Sequence, residues 1–417
     1  MSKLMEEILS RENMKLAHKK VKSNKGAGGI DGISVDEIDD YLKENWVDIR
    51  ERIRERKYKP QPVLRVEIPK ADGGIRKLGI PNVVDRIIEQ AIVQKITPIA
   101  EPHFSEYSYG FRPNRRAQQA ILKLLEYLND WNTYVVDIDL EKFFDNVPQD
   151  KLMTLVGKII QDPDTESLIS KYLKAGVMEK GKYEATNVGT PQGGNLSPIL
   201  SNIVLNELDK ELEARGLNFV RYADDCVITV KSSAAANRVM HTITKWIERK
   251  LKLKVNAAKT KVTKPSNLKY LGFGFVKMGD KWEARAHQDS IKAFERKLKR
   301  LTKRSWSVSM DTRIQRLNWV IRGWINYFRI SKMKGHMARI DGHLRTRMRI
   351  VIWKQWKTSA KRKWGLEKLG APEWMAKQSA GFADHYQAVA KTTGLHLISK
   401  GILAKRGLVS CLDYYLN

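Results

Sequence analysis

Residues 219–230 read FVRYADDCVITV. Two apolar runs, FVRYA and CVITV, flank Asp224 and Asp225. Runs of this length, rich in Val, Ile and aromatic residues, favour strands, and Asp tolerates turn geometry. The stretch therefore predicts a β-hairpin with two carboxylates at its tip. A lone Asp-Asp pair is more often an ordinary polar turn, so the surrounding chain has to decide.

Upstream, Tyr134 to Leu140 reads YVVDIDL. As a strand it places Val136, Ile138 and Leu140 on one face, and Val135, Asp137 and Asp139 on the other. A core strand that ends in two acids is unusual. Between strand and hairpin lies the loop GTPQGGNLSP, followed by an amphipathic helix up to Arg215. Further upstream, Leu64 to Ile68 and Ile75 to Ile80 flank Asp72-Gly73-Gly74, a hairpin signal. Its arms carry Arg65, Lys70, Arg76 and Lys77. Ser108 to Arg116, SYGFRPNRR, is an aromatic and basic loop that leads into a helix. Helical spacing also marks residues 1–20, 36–58, 85–99, 151–160, 164–175 and 234–251. From 290 to 365 the pattern is almost wholly helical, and residues 366–417 form a small terminal module.

The chain has 417 residues, more than one compact core holds, so two to four domains are expected. No run approaches the roughly 18 apolar residues of a membrane span. The N-terminus lacks an apolar signal core, so a cytoplasmic bacterial protein is expected. Cys226 and Cys411 are the two cysteines, which excludes a disulfide framework and a four-cysteine zinc site. The formal charge of +29 implies a polyanionic partner. Between Arg285 and Gly365, 23 Lys or Arg stand against 4 Asp or Glu, interleaved with Trp306, Trp319, Trp324, Tyr327, Phe328, Trp353 and Trp356. Cations among aromatics suit phosphates and stacked bases, or a core.

Nucleotidyl transfer uses two divalent cations ~4 Å apart, one at the attacking and one at the leaving oxygen. Magnesium takes hard carboxylate oxygens and keeps water and substrate phosphates in its shell. Asp139 at a strand end, with Asp224 and Asp225 on a hairpin, meets that need once the fold unites them. Carboxylates so close repel one another without a cation.

At this point the motifs resemble a family. YADD in an apolar hairpin, DLEKFFD at 139–145, PQGGNLSP at 191–198, VNAAKT at 255–260 and YLGFGF at 270–275 resemble, in order, the motifs of reverse transcriptases. YGFRPNRRAQQAI and RGWINYFR narrow the resemblance to the reverse transcriptase–maturases encoded by group II introns. It implies an α+β right-hand polymerase followed by an α-helical thumb. It implies a metal-binding, catalytic triad of Asp139, Asp224 and Asp225, served by two Mg²⁺ ions that Mn²⁺ can replace. Phe144, or its neighbour Phe143, matches the side chain that excludes a ribose 2′-OH. Gln192 and Ala223 match residues at the incoming nucleotide. Lys70 and Arg76 match the triphosphate clamp, with Arg65 a weaker candidate. Lys259 matches the lysine beside the leaving pyrophosphate, or is a plain surface lysine. Gly193 and Gly194 match a close approach to template–primer. Arg65, Arg112, Lys297, Arg300 and Arg304 are the expected RNA contacts.

The implied division is an N-terminal extension at 1–35, mainly fingers at 36–130, mainly palm at 131–285, thumb or maturase domain at 286–365, and a small DNA-binding-like segment at 366–417. The implied partners are an RNA template with a DNA primer, dNTPs, target DNA and group II intron RNA, with a role in splicing and retrohoming. The short form resembles the bacterial class C proteins without an endonuclease. Two other readings stand beside this one: a retron or diversity-generating reverse transcriptase, and an RNA-binding maturase that does not polymerise.

Overall fold

The computed structural model describes residues 1–69, 73–382, 385–391 and 393–417. Lys70, expected in the phosphate clamp, and Asp72 of the hairpin turn lie outside the described residues. The chain forms two compact units, Met1–Lys264 and Pro265–Asn417. Among the described residues no helix is long and apolar enough to cross a membrane.

In the first unit, β1 (Val63–Pro69) and β2 (Ile75–Ile80) pair antiparallel, with Ile68 opposite Arg76. The helix α1 (Val83–Ala100) follows at once and is buried on most sides, with Ile88, Ile92 and Ile96 in the core. Then come β3 (Tyr134–Ile138), the short strands β4 (Val177–Glu179) and β5 (Lys182–Glu184), and α2 (Ser197–Ala214). The strands β6 (Asn218–Tyr222), β7 (Asp225–Val230) and β8 (Lys261–Thr263) complete the unit. Two four-stranded sheets result, in the orders β2-β1-β4-β5 and β6-β7-β3-β8. The second sheet is antiparallel throughout, and it shares one apolar core with α1 and α2.

Two expectations change here, and one element is new. The N-terminal helix splits into Lys3–Ile8 and Arg11–Ser23, because the Ser10 side chain caps the second piece by accepting from Asn13 N. Asn13 then donates to Ile8 O and Ala91 O and holds the break against α1. The helix expected to reach 251 changes to a π turn at Ile247–Leu251. The pair β4–β5 escaped notice because VME and KYE are too short and polar to show alternation.

The second unit opens with β9 (Lys269–Tyr270), β10 (Phe273–Met278) and β11 (Lys281–Ala286), in the sheet order β11-β10-β9. The helices α3 (Gln288–Leu301), α4 (Met310–Phe328) and α5 (Lys334–Gln355) follow. Shorter helices lead to α6 (Cys411–Leu416). The palm was expected to run to residue 285, yet 265–286 group with the helices. The cause is packing: Phe273 meets Tyr327 and Phe328 at 5.6 and 4.8 Å, and Tyr327 Oη donates to Leu271 O at 2.9 Å. The last residues fold back onto α4 and α5. Buried Asp341 accepts from Ser410 Oγ, Cys411 N and Leu412 N at the start of α6. Asn318 of α4 holds Gly407 O and Val409 N.

Candidate active site

In the β3–β7 ladder Ile138 stands opposite Cys226. The next positions, Asp139 and Asp225, therefore leave the ladder side by side. Tyr222 pairs with Asp225 across the hairpin, so the loop consists of Ala223 and Asp224. Asp225 opens β7 rather than sharing the tip, a one-residue departure from the sequence expectation. The VNAAKT loop fixes the backbone of Asp139. Thr260 Oγ1 accepts from Asp139 N at 3.1 Å, and Asn256 N donates to Asp139 O at 2.8 Å. Lys259 Nζ lies 3.9 Å from Asp139 Oδ2.

The turn is held from behind. Ala223 has φ +56°, a left-handed conformation that costs a residue with a Cβ about 1–2 kcal/mol. Arg221, fully buried, donates from Nη1 to Ala223 O at 2.8 Å and to Asn202 Oδ1 at 3.0 Å. Its other edge makes a bidentate pair with buried Asp209, at 2.7 and 2.5 Å. Asn202 in turn donates to Gly110 O at 2.9 Å. A Cβ on Gly110 would stand 2.1 Å from Ala223 N, so only glycine lets the SYGFRPNRR loop close over the turn.

Electrostatics single out Asp225, Asp224 and Asp137. Asp225 keeps an exposed edge, yet the protein around it desolvates it, and Asp224, Asp137 and Asp139 repel its charge; its carboxyl is pushed up to about 7. Asp224 is raised by desolvation and by Asp139, while Arg76 and Arg221 pull it down. Desolvation also lifts Asp137 to about 6, against the pull of Lys261. A crowd of carboxylates with too little positive charge nearby fits a divalent cation. Among the described residues no three His, Cys, Asp or Glu close a metal cage. A divalent cation bound there would complete its shell with water and substrate phosphate.

A cleft of about 150 Å³ in the same unit is lined by Phe144, Gln192, Thr190, Arg65, Lys77 and Gly79, among others. Phe143 is buried in the core and meets Phe144 edge-on at 5.3 Å, so Phe144 is the ring that reaches the cleft. Arg76 is exposed on β2. Arg65 and Lys77 both face Glu179 of β4, at 3.8 and 3.7 Å.

Two expectations are corrected. Arg112 is not an RNA contact: it is 8% exposed, pairs with Glu101 at 2.7 Å and donates to Ser105 O and Ser108 O, shaping its own loop. The glycines at 193–194 serve a close approach within the protein. Gly193 has φ +129°, and a Cβ there would stand 2.3 Å from Gly79 O; Gly194 is buried beside the Glu89 carboxylate. Glu89 itself escaped sequence reasoning. Buried in α1, it accepts from Asn195 N at 2.6 Å, and burial pushes its carboxyl up to about 8. A polar residue inside an apolar helix was the available signal. In the second unit Lys297 and Arg300 are exposed along α3, and Arg304 lies over Tyr386 at 4.2 Å.

Residues 68–275 match the family described as reverse transcriptase (RNA-dependent DNA polymerase), and 291–370 match the group II intron maturase-specific domain. Protein YkfC of Escherichia coli (strain K12) is 33% identical over 297 residues, 62% of this chain and 76% of its own. The group II intron-encoded protein LtrA of Lactococcus lactis subsp. cremoris is 36% identical over 248 residues, 59% of this chain but 40% of LtrA. A solved telomerase from Candida albicans aligns over 75% of this chain and 63% of its own, with 13% identity and a TM-score of 0.44. An α+β polymerase unit with paired acids, followed by a helical unit carrying the maturase match, places the chain in the group II intron-encoded reverse transcriptase–maturase family of RNA-directed DNA polymerases.

Proposed function

We propose that the chain copies RNA into DNA at Asp139, Asp224 and Asp225, and that its second unit grips the group II intron RNA and aids its splicing and retrohoming. The observation that carries the polymerase assignment is the ladder register that sets Asp139 beside Asp225. Bound there, a pair of Mg²⁺ ions would activate the primer 3′-OH and stabilise the leaving oxygen. The three carboxylates hold that position, and the Arg221 network fixes the turn that aims two of them. Phe144 and Gln192 bound the sugar of the incoming dNTP, and Phe144 excludes a 2′-OH. Arg76 steadies the triphosphate, and the family resemblance adds Lys70 to that clamp. Lys259, beside Asp139, is poised to give a proton to pyrophosphate.

The test is primer extension on an RNA template with Mg²⁺ and dNTPs, run beside template–primer affinity. Asp224→Ala with Asp225→Ala should abolish extension and leave affinity near wild type. Undiminished synthesis would remove the active-site assignment. In the same assay Phe144→Ala should raise ribonucleotide incorporation, whereas an increase with Phe143→Ala alone would shift the gate by one residue.

A further inference from the structure

We propose that the groove between α3 and α4 holds one unpaired nucleotide of bound RNA, its base stacked on Trp319. This rests on the reading of the second unit as an RNA-binding module.

The helix α4 carries two faces. Ile314, Leu317, Ile321, Ile325 and Phe328 are buried and make the core. Arg316, Trp319, Val320 and Gly323 recur at helical spacing on another face, where Trp319 is 55% exposed. The exposed Ala293, Lys297 and Arg300 of α3 border the same groove, whose volume is about 690 Å³. That size lies in the range of small-molecule sites, roughly 300–1,000 Å³.

The groove has the chemistry of a base slot. Phe294 and Trp324 line it as a rigid stack, 4.4 Å apart and inclined by 6°. Packing is thereby satisfied without Trp319, whose indole is left toward solvent. The Arg316 guanidinium lies 5.0 Å over the Trp319 ring. At Gly323, one turn further on, no heavy atom comes within 4 Å of where a Cβ would stand, so the space beside the indole is open. Lys297, Arg300 and Arg316 surround it, and no acid lines it. Cations with an exposed aromatic face suit a splayed base and its phosphates. A duplex keeps its bases stacked on each other and offers mainly its backbone and 2′-hydroxyls.

The opposite flank of α3 supplies a contrast. There a cleft of about 640 Å³ is lined by Lys292, Arg296, Lys299 and Arg347, but also by Glu295, and its one ring is the His343 imidazole, with no Trp, Tyr or Phe. That flank offers a small imidazole beside a carboxylate, where the Trp319 groove offers a broad indole and no acid. The two flanks of one helix thus differ in the size of the ring they offer a base and in the presence of an acid.

The test uses the full chain and two RNAs, a short single strand with a central 2-aminopurine and the same strand in a duplex. Wild type should quench the single-strand fluorescence. Trp319→Ala should weaken single-strand binding about tenfold and abolish the quench, with duplex affinity and thermal unfolding unchanged. Trp319→Phe should restore most of both signals, because a ring still stacks. Equal losses on single strand and duplex, or wild-type quenching by Trp319→Ala, would overturn the slot. Failure of the wild type to bind either RNA would refute the RNA-binding reading itself, a separate result.

Discussion

The two units bury opposite charge. Among the described residues the first buries Asp85, Glu89, Asp162, Asp164 and Asp209 with Arg112 and Arg221; the second buries Arg313, Arg349 and Arg362 with Asp341. Arg221 and Arg313 are both about fully buried, yet their partners differ in kind. Arg221 meets the Asp209 carboxylate. Arg313 donates to the carbonyls of Leu301, Lys303 and Trp306 and lies 4.9 Å over the Trp306 ring. Arg349 likewise donates to Ile398 O and Ala390 O. Carbonyls at helix ends carry partial negative charge and can hold a cation without a carboxylate. The second unit can therefore order its loops with arginine while adding no acid that would weaken its surface field. The first unit instead buries acids, pairing Asp209 with Arg221 and pushing the Glu89 carboxyl toward its neutral form.

The largest effect expected from this contrast is at Arg221. Arg221→Met leaves Asp209 buried and unpaired and should cost about 3–5 kcal/mol in urea unfolding. Adding Asp209→Leu should recover most of that stability, since an apolar pair tolerates burial. Extension should stay low in the double variant, because Ala223 O still lacks its donor. Recovery of both stability and extension would show that the pair is structural only.

A smaller loss is expected at Arg313. Arg313→Met strands carbonyls that water can partly reach, so about 1–3 kcal/mol should be lost. The loss should appear as exposure of 302–309 in hydrogen exchange. A cost equal to that at Arg221 would break the contrast.

The third expected effect is a pH slope. Burial lifts Glu89 from its ordinary 4.5 to about 8, with Asp85 adding repulsion. Between those values the folded chain keeps a proton that the unfolded chain releases, so stability falls as pH rises through the window and levels off above about 8. Glu89→Gln should remove this part of the slope, measured as the difference between variant and wild-type unfolding from pH 5 to 8. An unchanged difference would mean that Glu89 is ionised in the fold.

Much of the site was legible because its parts are local. Alternation in YVVDIDL and FVRYADDCVITV located the acids, and charge patterning located the helical unit. What stayed hidden depends on distant partners. Arg112 read as a surface cation because Glu101 and the two carbonyls it binds are set by a loop fold, not by spacing. Gly193 and Gly194 read as a close approach to template–primer, whereas Gly79 and Glu89, the parts they approach in the fold, lie far along the chain. The limit of the first unit at 264 followed from Phe273 choosing aromatic neighbours on α4, a choice of side-chain shape that hydropathy does not encode.

The supports of the aspartate turn also have an order in time. Gly110, Asn202 and Asp209 all precede Ala223 in the chain, so a ribosome delivers the seat before the part that sits in it. Domains tend to fold from the N-terminus during synthesis. A nascent chain therefore meets its left-handed alanine with Arg221 already able to find Asp209, while Asn256 and Thr260, which hold Asp139, are still to be made. An incompletely folded chain would then lack an aimed acid cluster, and catalytic competence becomes a readout of finished folding.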